Sequence, residues 1–389
     1  LDEKADFLIV GAGIAGASIG YFLAPHGRVV VLERESQPGY HTTGRSAALF
    51  IESYGTPQVR ALTCASRAFF ETPPSGFAEH PLLSPRGAML IGTSDQSAAL
   101  DEAFETARGI SQNVQRLDEA ATHALVPVLA PGMRAVLEQD PMDMDVNAIH
   151  QGYLRGLKAR GGKVICNAEV TRCERIGAEW EAEAGGKTWR APVVVNAAGA
   201  WCDKLAELAG AFKIGLQPKR RSAFIFAPPA GVETARWPMV FGTGESFYFK
   251  PDAGLLLGSP ANEDPVDPQD IQPEEYDIAL GIGRIEEATT MHIRRPTRVW
   301  AGLRSFVADG DLVGGYDSEC KGFFWLAAQG GYGIQTSPAM GEACAAIVRE
   351  VEIPSRIAAF GLDAKMLSAE RRALERHRPR GVPLSRDSG

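Results

Sequence analysis

The stretch Gly11-Ala-Gly-Ile-Ala-Gly16 constrains this chain more than any other. It is a G-x-G-x-x-G, and its flanks give it meaning. Residues 6–10 read as a short buried strand, 14–23 as a helix closed by Pro25 and Gly27, and 28–32 as a second, β-branched strand. A strand–turn–helix–strand unit at the start is the usual opening of a dinucleotide-binding α/β fold. Gly11 permits the tight turn, Gly13 lets the backbone approach a pyrophosphate, and Gly16 lets helix and strand pack closely. The helix start at Ile14 and Ala15 offers N–H groups and a partial positive charge to phosphates. Glu33, 22 positions after Gly11, closes the second strand with Arg34 behind it. A carboxylate there can accept hydrogen bonds from ribose hydroxyls.

The motif alone does not separate FAD from NAD. Three other turns bear on the choice. Gly39-Tyr-His-Thr-Thr-Gly-Arg-Ser-Ala-Ala48 is a long loop of small and polar residues after the second strand. Asn196-Ala-Ala-Gly-Ala-Trp201 follows a buried strand at 192–196, and Gln329-Gly-Gly-Tyr-Gly333 joins a buried strand at 323–328 to a helix at 334–350. Bare glycine backbone at a helix N-terminus can face the pyrimidine end of a flavin, which becomes anionic on reduction. Any one of these turns could be an ordinary connection; four in one chain favour a flavin nucleotide.

At 389 residues with 45% hydrophobic content, two domains are the natural expectation. A helix capped by Asp145 runs to about residue 160, and strands follow at 163–166, 169–175, 179–183 and 188–191. Further strands are expected at 222–227, 246–250 and 254–257, a loop at 260–274 and a helix at 277–288. The β-α-β material lies at the start, middle and end, with strand-rich material at 84–139 and 216–296 between. The expected class is α/β: a Rossmann-like nucleotide domain (1–83, 140–215, 297–366) interleaved with an α+β substrate domain on a mixed sheet (84–139, 216–296), and a mobile tail at 367–389.

Net charge −8 and a pI near 5.5 offer no basic face for nucleic acid. Lys219-Arg220-Arg221 is a local cluster suited to an anionic substrate. The six cysteines contain no C-x-x-C pair and the histidines are unclustered, so no zinc site, other metal site or disulfide framework is expected. No signal-peptide pattern and no membrane-length apolar run is present, which points to a cytoplasmic protein, peripheral membrane contact aside.

Beyond the glycine motif, the chain resembles the D-amino acid oxidase family of flavoproteins, and within it the D-arginine dehydrogenase branch. The resemblance spans residues 6–366 and is carried by Gly39–Ala48, Tyr54-Gly-Thr-Pro-Gln58, 82–86, 196–203, 217–228, 246–250, Gly302-Leu-Arg-Ser-Phe306 and 327–336. It implies non-covalent FAD, held additionally by His41, Thr42, Thr43, Arg45, Ser46 and Ala47 of the long loop. Val170, Ala198, Gly199, Trp201 and Gly302 would contribute, as would Gly330, Gly331, Tyr332, Gly333, Ile334 and Gln335. His41 could instead carry the flavin covalently; a polar contact is the plainer reading. The implied reaction passes a hydride from the α-carbon of a D-amino acid to flavin N5, and the imino acid hydrolyses to a 2-oxo acid and ammonia.

The resemblance places the substrate carboxylate between Arg221 and Arg304, with Tyr54 and Tyr248 donating hydroxyls. A surface charge and core aromatics are the bland alternatives for these residues. No side chain is assigned as general base. Pocket walls are expected from Leu49, Ile51, Ala88, Met239, Phe241, Gly331 and Ile334. The chain departs from the branch after Ser84-Pro85-Arg86, where Ala88 stands in the place of a Glu that would pair a guanidinium substrate. Leu49 and Ile51 also replace polar residues, so apolar or aromatic D-amino acids are expected over D-Arg, unless Glu52 supplies the lost acid. Three other readings stand beside this one: a glycine- or sarcosine-oxidase-like enzyme for small or N-substituted amines, a flavin-binding protein without amine chemistry, and an NAD-dependent dehydrogenase. The electron acceptor, a quinone or oxygen, is not legible, though the resemblance leans toward a dehydrogenase. A monomer or weak homo-oligomer is expected.

Overall fold

Four runs of near-continuous apolar residues, Phe7–Val10, Val29–Leu32, Val193–Asn196 and Phe323–Ala327, are the strands that a sheet covered on both faces requires. In the computed structural model, which describes residues 3–371, they form the centre of a six-stranded sheet. The order is Lys163–Ile165, Val29–Leu32, Phe7–Val10, Val193–Asn196, Phe323–Ala327, Val313–Tyr316. All pairings are parallel except the last. Alternation along each strand serves two cores. Ile9, Val31, Val195 and Phe324 pack with Ile19, Leu62, Leu157 and Met340 from helices Ile14–Leu23, Pro57–Glu71, Val146–Ala159 and Gly333–Val348. Leu8, Val30, Val194 and Trp325 pack with Trp180 and Trp189 of a smaller sheet and with Leu205 of the helix Cys202–Ala209. That smaller sheet is Val170–Ile176, Glu179–Ala184, Lys187–Ala191 and Glu3–Lys4, the last pair recruited from the charged N-terminal stretch.

The second large sheet is mixed. Its path runs Asp264–Pro265, Gln217–Phe226, Leu255–Ser259, Tyr248–Asp252, Met239–Gly242, Ala88–Gly92, Arg134–Glu138, Val114–Leu117, with Arg298–Phe306 paired to Gln217–Phe226 off that path. Met239–Gly242 and Ala88–Gly92 are parallel; their neighbours are antiparallel. Phe224, Phe226, Phe249 and Met89 turn to one side, where they bury Ile285 of the helix Glu275–Ala288. Ile225, Tyr248, Met239 and Leu257 turn to the other.

Three expectations are corrected here. Arg298–Phe306, assigned by sequence to the nucleotide segment, pairs over its whole length with Gln217–Phe226 instead, because its alternating buried pattern suits an antiparallel partner. The stretch 84–139, expected to be strand-rich, also holds helices Ser97–Arg108 and Glu119–Leu125, the second capped by the Asp118 carboxylate. The expected tail begins packed: Leu367 and Ala369 are fully buried, and Arg371 pairs with Asp309 through Nε at 3.0 Å. Residues 372–389 of that tail lie outside the described residues. Among the described residues, no helix is long and apolar enough to cross a membrane.

The opening turn leaves no room for a side chain. A Cβ on Gly16 would stand 1.9 Å from the Gly11 carbonyl oxygen, and Gly11 itself has φ +102 with the Ala197 carbonyl 2.4 Å from where its Cβ would be. Backbone cannot yield as a flexible side chain does. Gly16→Ala is therefore expected to cost about 1–3 kcal/mol or more and to lower the thermal midpoint by several degrees. A melt at the wild-type temperature would show that the helix and strand do not pack this way.

Candidate functional site

The carboxyl ends of the parallel strands deliver Val10–Gly11, Leu32–Glu33, Ala197–Ala198 and Ala328–Gln329 to one edge, and a cavity of about 580 Å³ opens there. This is where open α/β sheets bind nucleotides. Gly11, Gly13, Ile14 and Ala15 line its floor. Gly16 does not; it is buried in the helix–strand contact, the packing role the motif assigns it. The Glu33 carboxylate lies in the wall, its orientation set by backbone N–H groups of Ala12 (2.8 Å) and Glu35 (3.0 Å).

The long loop forms another wall. Thr43 Oγ1 accepts from the Ile14 N–H (3.0 Å), and Thr42 Oγ1 donates to the Leu303 carbonyl (2.7 Å). Arg45 donates to the Ala301 and Ile271 carbonyls and pairs with Asp270. His41 sits 2.9 Å from Glu35 and 4.7 Å from the Trp201 ring, and Arg34 stacks over that same ring. Burial opposes the Glu35 charge, but the His41 and Arg34 bonds outweigh it and hold its carboxyl below the usual range. Ser46, Ala47, Val170, Ala198, Gly199, Gly302, Gly330, Gly331, Gly333 and Ile334 complete the lining. Two expected contacts fall elsewhere. Tyr332 lines neither this cavity nor its neighbour and packs its ring against Tyr54 (5.2 Å) and Phe306 (6.3 Å). Gln335 faces the adjoining smaller cavity and accepts from the Ile51 N–H (3.2 Å).

The long strand pairing decides the substrate side. Its register sets Lys219 opposite Arg304 and Arg221 opposite Gly302, so both arginines project from one face as diagonal neighbours, with a glycine where a side chain would come between. Both line the large cavity, and both also line a second cavity of about 60 Å³. Tyr248, Gly331 and Ile334 are shared in the same way, so the two spaces adjoin at the guanidinium groups. Burial and then the like charge of Arg304 lower the Arg221 pKa. Burial opposes the Arg304 charge too, but the Tyr54 and Tyr248 oxygens outweigh it and raise its pKa. The two are not equivalent. Arg221 donates to the Asn262 carbonyl (2.8 Å) and to Glu263 (2.9 Å), whereas Arg304 hydrogen-bonds the Tyr54 side chain and forms no carboxylate salt bridge among the described residues.

Leu49, Ile51, Met239, Phe241 and Tyr54 line the small cavity. Ala88 does not: it is buried in mid-sheet, between Met239 and Glu138 in register. Glu52 does not replace the missing acid either, because Arg67 captures it with bonds of 2.9 and 2.5 Å. Three residues escaped the sequence reading. Glu245, at the tip of the turn between Met239–Gly242 and Tyr248–Asp252, lines the small cavity and accepts from the Tyr54 hydroxyl (3.0 Å). Its signal was Gly242-Thr-Gly-Glu-Ser246, a hairpin turn beside a strand already singled out. Glu263, from the acidic loop, carried no pattern to mark it. Glu138 sits at a strand end, and Ser53, next to Tyr54, donates to it at 2.7 Å. Among the described residues no group of three or more His, Cys, Asp or Glu could hold a metal ion.

Glycine backbone at a helix start, the Glu33 carboxylate in the cavity wall and a glycine turn at a second helix N-terminus make a dinucleotide-binding cradle, and that cradle fits FAD. The comparisons agree. The sequence pattern of the DAO family, FAD dependent oxidoreductase, matches residues 6–347. FAD-dependent oxidoreductase domain-containing protein 1 of Bos taurus is 24% identical over 404 residues, 90% of this chain and 82% of its own length. L-2-hydroxyglutarate dehydrogenase of Escherichia coli (strain K12) is 27% identical over 246 residues, 58% of this chain and 53% of its own. The solved structure of glycine oxidase from Geobacillus kaustophilus superposes with a TM-score of 0.83 at 22% identity, covering 95% of this chain and 99% of its own. The chain belongs to the DAO family of FAD-dependent oxidoreductases, and FAD, not NAD, is its cofactor.

Two tests follow from this geometry. A Cβ on Gly331 would stand 2.8 Å from Arg304 Cζ and Nη1. Gly331→Ala should push the guanidinium aside and raise the apparent Kd for a small carboxylate by roughly tenfold or more, read from the flavin spectrum; an unchanged Kd removes Arg304 from the binding site. The second concerns Glu138, whose carboxyl is pushed above the usual range by burial, with Asp140 and Glu52 adding to it against the Ser53 bond. A raised folded pKa favours folding below the ordinary Glu value of about 4.3 and loses that contribution as pH rises through the folded pKa. Relative to wild type, Glu138→Gln should therefore gain stability between pH 5 and 8; a relative loss in paired thermal melts contradicts the reading.

Proposed function

We propose that this enzyme oxidises α-amino acids at the Cα–N bond, and that D-amino acids with apolar or aromatic side chains are its best substrates. The carrying observation is Arg304: a guanidinium at the junction of the two cavities with no carboxylate salt bridge among the described residues. Such a group takes a substrate carboxylate through paired charge-assisted bonds. Tyr54 and Tyr248 lie beside it; burial pushes the Tyr54 hydroxyl pKa well up, so it stays neutral, its proton given to Glu245 in the free protein, and Tyr248 is proposed as the hydroxyl donor to the substrate. Bound FAD supplies the hydride acceptor. The residues proposed to hold it are those of the cavity floor and long loop, with Glu33 on the ribose side. Holding the carboxylate on one side fixes the α-carbon on the cofactor side, and positioning of this kind supplies much of the rate. The amine gives up one proton and the α-carbon one hydride, and water converts the imino acid to a 2-oxo acid and ammonia.

The substrate preference rests on the wall formed by Leu49, Ile51, Met239 and Phe241. Among the described residues its one carboxylate, Glu245, is exposed and engaged with Tyr54. Ala88 lies outside this cavity and Glu52 is held by Arg67, so among the described residues a cationic side chain finds no dry carboxylate in the wall. The small cavity, about 60 Å³, favours a second reading: a small or N-substituted amine such as glycine or sarcosine, in line with the glycine oxidase likeness.

Anaerobic mixing of the yellow holoenzyme with D- and L-amino acids and N-methyl amines tests both. Reduction is expected fastest with D-Leu, D-Met or D-Phe, with D-Arg roughly tenfold or more behind in kcat/KM for want of a charge partner. Fastest reduction by sarcosine or glycine selects the second reading, and an oxidised flavin across the whole panel rejects both.

A further inference from the structure

The Arg221 guanidinium is already paired. Its Nη2 lies 2.9 Å from Glu263 Oε1, and the other carboxylate oxygen accepts from Lys219 Nζ, also at 2.9 Å. Glu263 thus bridges a buried arginine and a half-buried lysine, one on each side of Arg220. We infer that Glu263 is an internal competitor for the substrate carboxylate: it occupies Arg221 in the free enzyme, and substrate binding transfers Arg221 to the incoming carboxylate while Glu263 keeps Lys219. This inference rests on the reading of Arg221 and Arg304 as the carboxylate site.

The surroundings allow that exchange without moving the loop. Backbone on both sides of Glu263 is pinned. The Asn262 carbonyl accepts from Arg221 Nε, the Asn262 side chain donates to Asp277 and Asp264, its Oδ1 accepts from the Ser222 N–H, and Asp264 pairs with Arg220 in the strand register. The Glu263 side chain is held only at its tip, by Arg221 and Lys219, and is otherwise exposed. Burial opposes its charge, but the Lys219 bond and the Arg221 charge prevail and lower its pKa, so it is an anion at neutral pH. A side chain that turns while its backbone stays fixed is a rapid, low-cost motion. Lys219 compensates the released carboxylate, so no charge is stranded.

The sign of the effect separates competition from support. If Glu263 merely positioned Arg221 for substrate, removing its charge would weaken binding. If it competes, removal strengthens binding. Glu263→Gln is expected to lower KM for the best amino acid about two- to fivefold, the scale of an ion pair with one solvent-exposed partner, with kcat unchanged. The same holoenzyme should bind propionate, an amino acid skeleton without its amine, with a Kd lowered by a similar factor in a flavin absorbance titration. Arg221 keeps its bond to the Asn262 carbonyl, so the variant should melt within a few degrees of the wild type. An unchanged or raised propionate Kd overturns the inference. Failure of wild-type flavin reduction by every amino acid overturns the underlying reading instead, so the two failures are distinct.

Discussion

The antiparallel pairing of Gln217–Phe226 with Arg298–Phe306 is the contact on which the substrate side of this enzyme depends. Nine residue pairs run from Gln217↔Phe306 to Ile225↔Arg298. Because strand side chains alternate faces, a slip of either strand by one residue would leave Arg221 and Arg304 on opposite faces of the sheet. The pairing is held from behind by Phe224 and Phe226 in the aromatic core, and at its end by Pro265 and Asp264 bridging to Lys219 and Arg220. The parallel sheet builds the cofactor cavity; this strand pair aims two positive charges at its border.

Those charges give the site its character. Two guanidinium groups side by side repel one another, and burial opposes both. The fold offsets this with carboxylates set at the periphery, Glu263 on Arg221 and Glu245 on the Tyr54 hydroxyl, while the wall behind stays apolar. Placing the acids at exposed positions leaves the inner space free for the carboxylate of the proposed substrate. A carboxylate sunk among Leu49, Met239 and Phe241 would instead have cancelled the attraction at its centre and required a cation of its own.

Legibility differed between the two halves for a physical reason. The nucleotide half rests on local rules. A glycine turn, a strand before it and a helix after it lie within a few residues of each other, and helix Ile14–Leu23 has the limits its sequence implies. Asp145 caps its helix through the Ala148 N–H, as its position suggests. The substrate half rests on long-range pairing. Ala88 had been placed in the pocket wall because it follows Ser84-Pro85-Arg86, yet its strand is enclosed by Met239–Gly242 and Arg134–Glu138. Residues 298–306 had been counted with the nucleotide segment, yet they pair with Gln217–Phe226, because a strand does not declare its partner. Glu52 had been the candidate acid by proximity in sequence, but Arg67, one helix away, holds it.

The amino-acid sequence by itself determined the dinucleotide cradle, the four apolar strands that must be buried on both faces, and the residue types able to hold an anion. Turn chemistry and hydrophobic period act over a few residues, so they can be read directly from the chain. Only the tertiary structure decided that Arg304 has no carboxylate salt bridge among the described residues while Arg221 has Glu263, that Glu245 rather than Glu52 or position 88 brings an acid to the pocket, and that Tyr332 and Gln335 do not line the large cavity. Those outcomes depend on which distant side chains meet across a sheet register. Register is set by the packing of whole strands, not by the residues beside the site.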